Sequence, residues 1–235
     1  MTKTYKALSA LLSYPSAELQ AASSEITSIL AKEGILSQSA QDAIQPLLTE
    51  MATWDIYDLQ ERYVLLFDRS RTLSLNLFEH VHGESRDRGP AMVDLVETYQ
   101  AGGFEMAATE LPDHLPILLE FMSTRPAAEA MELLQDAGHI IAALGERLTR
   151  REAPYAAIMF ALAETAGITV DAAPVKELLT VVDDDPEDLE ALDNVWEEAE
   201  ITFGPDPEAG CPVSRDMLAK MDPLTAPQPN AADVN

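Results

Sequence analysis

Apolar side chains recur along this chain every three or four residues and almost never alternate. Tyr5, Leu8 and Leu12 form one stripe, Ile26, Ile29 and Leu30 a second, and Ile56, Leu59, Tyr63, Leu66 and Phe67 a third. Met92, Leu95, Val96 and Tyr99 follow, then Leu115, Leu118, Leu119 and Met122, then Ile140, Ile141, Leu144 and Leu148. Residues at these spacings share one face of an α-helix, so each stripe predicts an amphipathic helix facing a shared core. The stripes are interrupted at Pro15, Gly34, Gly83, Gly102-Gly103, Pro126 and Gly167, the residue types that end helices. Leu73, Leu75 and Leu77 do alternate, but a lone strand has nothing to pair with, and this stretch is assigned to a loop and a short helix. The pattern predicts an all-α, single-domain helical bundle.

The pattern changes towards the C-terminus. Residues 171–235 hold 17 acidic and 3 basic residues. The run Asp183–Glu190 predicts the start of a last helix, its acids near the positive N-terminal end, continuing through Leu192, Val195 and Trp196 to Ile201. Prolines at 205, 207, 212, 223, 227 and 229, with few large apolar residues between them, predict a disordered acidic tail over 205–235 behind a helical domain of residues 1–204.

Charge narrows the choice of partner. The 235 residues carry 15 basic and 41 acidic side chains, a net charge of −26. Phosphate backbones and anionic membrane surfaces are bound by clustered Lys and Arg, so no nucleic acid and no membrane partner is expected. Lys3 and Lys6 followed by Ala7–Leu12 imitate a signal peptide, but the apolar run is short and stops at Tyr14-Pro15. No run approaches the roughly 18 apolar residues of a membrane span, and a soluble, cytoplasmic protein is expected. Cys211 is the sole cysteine; it has no intramolecular disulfide partner and lies in the tail without a neighbouring base, which suits a reducing compartment and no thiol catalysis. Gly-x-Gly-x-x-Gly, Walker and Gly-x-Ser-x-Gly signatures are missing, which moves weight from catalysis to binding.

Candidate chemistry is concentrated in Leu73–Gly89, where aromatic, histidine, acidic and arginine residues crowd together. His80-x-His82, with Glu79 and Glu84, invites a metal reading. Residues two apart point away from each other on a helix, unlike the four-residue spacing of His-Glu-x-x-His, so no resident metal or cofactor is expected. A metal-dependent enzyme using His80, His82 and His114 is the alternative. Asp113 directly precedes the Leu115 stripe, where it is expected to cap the helix that follows. Arg69, Arg71, Arg86 and Arg88 form two Arg-x-Arg pairs expected to tie their loop to the chain's own carboxylates. Most of the nine methionines, among them Met92, Met106, Met122, Met131 and Met159, are read as core filler.

Four segments in order, Tyr63–Arg69, Leu77–Gly89, Leu111–Leu115 and Leu119–Phe121, resemble the NarJ-type assembly chaperones of respiratory nitrate reductase, part of the wider TorD/DmsD family. The resemblance runs through about residues 5 to 200. It implies a helical chaperone, not an enzyme, that holds the N-terminal segment of the catalytic subunit of nitrate reductase. Molybdenum cofactor and an iron–sulfur cluster would be inserted before that subunit reaches its membrane anchor, with molybdenum cofactor biosynthesis proteins as further partners. In that family the Asp-His pair matching Asp113-His114 sits in a loop implicated in leader-peptide binding. The expected client contacts are Leu77, Phe78, Glu79, His80, His82, Glu84, Arg86, Arg88, Asp113 and His114. An amphipathic peptide would lay its apolar face in a groove between these segments, with its basic residues on acidic walls.

Overall fold

A computed structural model of the chain describes residues 2–83, 85–106, 110–169 and 172–183. They fall within one compact unit, Met1–Asp188. The last helix expected after Asp183, the tail expected from residue 205, and Cys211 lie outside the described residues.

Ten α-helices make up the described fold: α1 (Lys3–Leu11), α2 (Ala17–Glu33), α3 (Gln38–Thr53), α4 (Ile56–Tyr63), α5 (Leu77–His82), α6 (Arg88–Ala101), α7 (Leu115–Thr124), α8 (Ala127–Arg150), α9 (Ala156–Ala166) and α10 (Ala173–Leu178). Among the described residues the one β feature is an isolated antiparallel bridge between Asn76 and His114. The all-α expectation therefore holds. Helix starts follow local chemistry: the side chains of Ser16, Ser37 and Asp55 accept hydrogen bonds from Leu19, Ala40 and Tyr57 N–H, each occupying a donor the first helical turn leaves unpaired. Helix α1 lacks such a local cap. Glu33, from the end of α2, instead accepts from Lys3 and Thr4 N–H at 2.9 and 2.7 Å, locking the two helices together.

The helices pack pairwise, α8 on α9, α1 on α7 and α2, α2 on α3, and α3 on α9. The main core forms where their apolar stripes meet, around Leu8, Leu11, Ile44, Leu47, Met51, Leu119, Ile141, Leu148 and Leu162, and a small second cluster joins Ala142, Ala143, Ala163 and Val175. At roughly 1.5–3 kcal/mol for each fully buried large side chain, this packing dominates the stability of the bundle. Gly138 of α8 leaves room for the chain that follows α9, since a Cβ there would stand 2.5 Å from Ile168 Cγ1. The stripe from Ile56 to Phe67 changes its winding partway: Val64–Asp68 forms a π turn, closed by Arg69 N–H donating to Val64 C=O at 3.0 Å. One expectation is met only in part at α6, whose predicted stripe is its less exposed face, with Leu95 packed against the core. Of Met92, Leu95, Val96 and Tyr99, only Tyr99 is buried, because α6 lies at the surface and turns Leu95 towards a groove.

Candidate functional site

Two motif segments thirty-five residues apart are stitched side by side. Leu115 N–H donates to Leu75 C=O at 2.8 Å and Leu77 N–H to Asp113 C=O at 3.1 Å. Phe78 N–H then donates to Asp113 Oδ2 at 2.9 Å. Asp113 thus caps α5 from across the fold and not α7, which has no side-chain cap; the local capping expectation is corrected. A carboxylate at the positive end of α5 also meets the helix dipole favourably. Only 1% of Asp113 is exposed, and among the described residues its Oδ1 has no hydrogen-bond partner. Burial raises the pKa of this carboxyl, and the Phe78 N–H and Arg88 offset only part of that rise.

Three of the four histidines, the candidate ligands His80, His82 and His114, take different roles. His80 Nε2 lies 2.8 Å from Ser74 C=O; a carbonyl only accepts, so this nitrogen carries the proton and donates. Burial lowers the His80 pKa, which keeps the ring neutral. His82 stands edge-on to the Phe78 ring, with centroids 5.5 Å apart. His114 faces a separate cavity of about 400 Å³, beside Tyr63, Asp68 and Glu110, where burial lowers its pKa as well. These geometries do not gather a ligand set, and no three His, Cys, Asp or Glu side chains among the described residues are placed to hold a metal ion. The metal-enzyme alternative loses its geometric basis.

Arg88 meets Glu79 at 3.3 Å, tying the start of α6 to α5 as expected of the loop arginines. Arg86 is exposed on the turn between them. Glu84 lies outside the described residues. Gly83, with φ 52° and ψ −123°, ends α5 in a conformation open to glycine alone.

Leu77, Phe78, His82 and Asp113 line one groove of about 350 Å³, whose other walls come from Leu95 of α6, Leu118 of α7, and Leu133, Asp136, His139 and Ile140 of α8. Sequence reasoning placed the first four. It missed the α8 residues, which carry no signal beyond a helical stripe. His80 is spent on the Ser74 carbonyl and does not line this groove.

The arrangement is that of an all-helical scaffold with preformed grooves, its polar motif engaged in holding two segments in register. Residues 33–161 match the profile of the nitrate reductase delta subunit family, and the chain belongs to that family. It is 42% identical over 205 residues to the nitrate reductase molybdenum cofactor assembly chaperone NarJ of Escherichia coli strain K12, covering 86% of each chain. The probable assembly chaperone NarW of the same strain is 41% identical over 184 residues, 77% of this chain and 78% of NarW. The probable assembly chaperone NarJ of Bacillus subtilis strain 168 is 28% identical over 159 residues, 68% of this chain and 85% of that protein.

Proposed function

We propose that this protein is an assembly chaperone for a nitrate reductase, acting at the stage of molybdenum cofactor incorporation and not as a catalyst. It holds the N-terminal segment of the apo catalytic subunit in the cytoplasm until molybdenum cofactor and an iron–sulfur cluster are in place. Molybdenum cofactor biosynthesis proteins are its transient partners. The observation that carries this reading is the groove of Leu77, Phe78, His82 and Asp113, stitched from the motif segments and walled by apolar residues of α6, α7 and α8. Apolar walls take the hydrophobic face of an amphipathic peptide, while the exposed Asp136 is placed to meet one of its basic residues. The names of the relatives support the same assignment. No helix among the described residues is long and apolar enough to cross a membrane.

Calorimetric titration with a synthetic peptide copying the first residues of a nitrate reductase catalytic subunit tests the peptide step. Binding is expected, and Phe78→Ala should weaken it about tenfold as an anchoring contact is truncated. A wild-type protein that ignores the peptide would refute the N-terminal recognition. Deleting the gene tests the chaperone role separately: the catalytic subunit should then accumulate without molybdenum cofactor, and a fully loaded enzyme would refute that role.

A further inference from the structure

Asp113 and His114 are adjacent, yet they face different cavities. Asp113 belongs to the groove described above, whereas His114 belongs to a cup lined by Tyr14, Tyr63, Asp68, Glu110 and Glu120. The cup is not isolated. A trough of about 570 Å³ runs between α1 and α2, floored by Ala7, Ala10, Leu19, Ala22, Ile26 and Ile29. Ser13 and Tyr14 line both trough and cup, so the two meet at the C-terminal end of α1.

The chemistry changes along that path. The trough is predominantly apolar, its two lysines, Lys3 and Lys6, are matched by two glutamates, Glu18 and Glu25, and three alanines in its floor let another backbone come close. At the junction stands Tyr14, half exposed at 50%, its ring edge-on to Tyr63 at 5.6 Å. Beyond it the cup presents three carboxylates, Asp68, Glu110 and Glu120. Among described residues the one basic group paired with any of the three is Lys6, 3.1 Å from Glu120 across an exposed pair of the kind worth little in water. His114 adds no opposing charge there, since burial favours its neutral form. The Asp68 carboxyl is pushed up by burial and by Glu110, so these groups gain from an incoming cation.

We propose that the α1–α2 trough and the acidic cup form a second docking surface, for a basic amphipathic helix of a partner protein. The apolar face of that helix lies along the trough, and a Lys or Arg near its end enters the cup. There the carboxylates pair with the cation and the face of Tyr14 adds a cation–π contact. Charge complementarity selects this occupant: an acidic segment would face three carboxylates, and an anionic membrane would meet the −26 net charge. The surface is separate from the Phe78 groove, so its fate is independent of the proposed client-peptide site.

The probe is a synthetic helix of about 15 residues with a Leu face and a Lys face, beside a copy carrying Glu for Lys, titrated calorimetrically into the full-length protein. The Lys peptide should bind and the Glu copy should not. Asp68→Asn, Glu110→Gln and Glu120→Gln together should weaken the Lys peptide at least about tenfold, because all three cup charges are lost while shape is kept. Removing three charges elsewhere, by Glu97→Gln, Glu129→Gln and Glu132→Gln, should weaken it less than about threefold, since distant exposed charges are screened. Because the Phe78 groove can also take an amphipathic basic peptide, the readout is the number of sites: Ala22→Trp should remove the trough site and leave at most the groove site, with circular dichroism confirming the fold, and Phe78→Ala should leave the trough site unchanged. Equal losses in the two triple variants would reduce the effect to net charge and overturn the proposal. An unchanged number of sites in a well-folded Ala22→Trp protein would overturn it too, as would loss of all binding on Phe78→Ala.

Discussion

At the scale of single residues, Asp113 stands out because its carboxylate satisfies a helix that begins 36 residues earlier in the chain. Phe78 N–H has no intrahelical partner and depends on Asp113 Oδ2. Asp113→Ala is expected to cost about 1–2 kcal/mol in urea-denaturation stability, the scale of a lost helix cap. Asp113→Asn keeps an acceptor oxygen and should cost clearly less. His80 yields a prediction in pH. Burial lowers its pKa below 6.5 in the fold, so the unfolded chain binds a proton first as pH falls. Its contribution is fully present above the unfolded pKa and is lost as pH drops through about 6.5 towards the folded value. Denaturation midpoints should therefore fall between about pH 7.5 and 5.5, and His80→Gln should flatten part of that slope. An identical slope in the variant would show that His80 does not contribute.

Between elements, buried polar groups do what stripes of leucine cannot: they choose which neighbour a segment meets. Arg147 of α8 is 3% exposed in its side chain and reaches Asp183 at 3.0 Å. It also donates to Thr72 C=O at 2.9 Å and Leu178 C=O at 2.7 Å. One guanidinium thereby ties the 3-10 turn Arg71–Leu73, the end of α10 and the stretch after it to α8, the longest helix among the described residues. Arg147→Met keeps much of the side-chain volume but leaves those carbonyls without their donor and Asp183 with Arg150 alone, 3.0 Å away. The expected loss is about 3 kcal/mol, as when one member of a buried charged pair is removed, and thermal unfolding with a concurrent fall in helical signal would measure it. A loss below about 0.5 kcal/mol would mean that water replaces Arg147 adequately.

At the scale of the whole molecule, the net charge bears on the proposed peptide binding. With a net charge of −26, more than half of it beyond residue 170, a long-range field is expected to speed the encounter with a basic peptide, and apolar contacts in the grooves to set how long a complex lasts. Surface-binding kinetics with the client peptide should show an association rate that falls steeply as salt is raised and a dissociation rate that barely moves. Phe78→Ala should do the reverse, raising dissociation and leaving association alone. A salt effect confined to dissociation would contradict this division of roles.

The stripes of Leu, Ile, Tyr and Met determined the all-α class and most helix positions, because a 3.6-residue period reports which face of a helix leaves water wherever the helix ends up. Glycines and prolines marked the breaks for the same local reason, and the motif segments identified the family without any coordinates. Only the tertiary structure decided who bonds to whom. Asp113 looked like the cap of α7 because it precedes that helix, yet the bridge between Asn76 and His114 delivers it to α5. His80, His82 and His114 looked like a possible ligand set, yet the same bridge and the short α5 send them to a carbonyl, an aromatic ring and another cavity. Leu133, Asp136 and His139 join the groove only because α8 crosses behind α5. Such contacts join residues far apart in sequence, and a local pattern holds no information about which distant polar group will be brought within hydrogen-bonding reach.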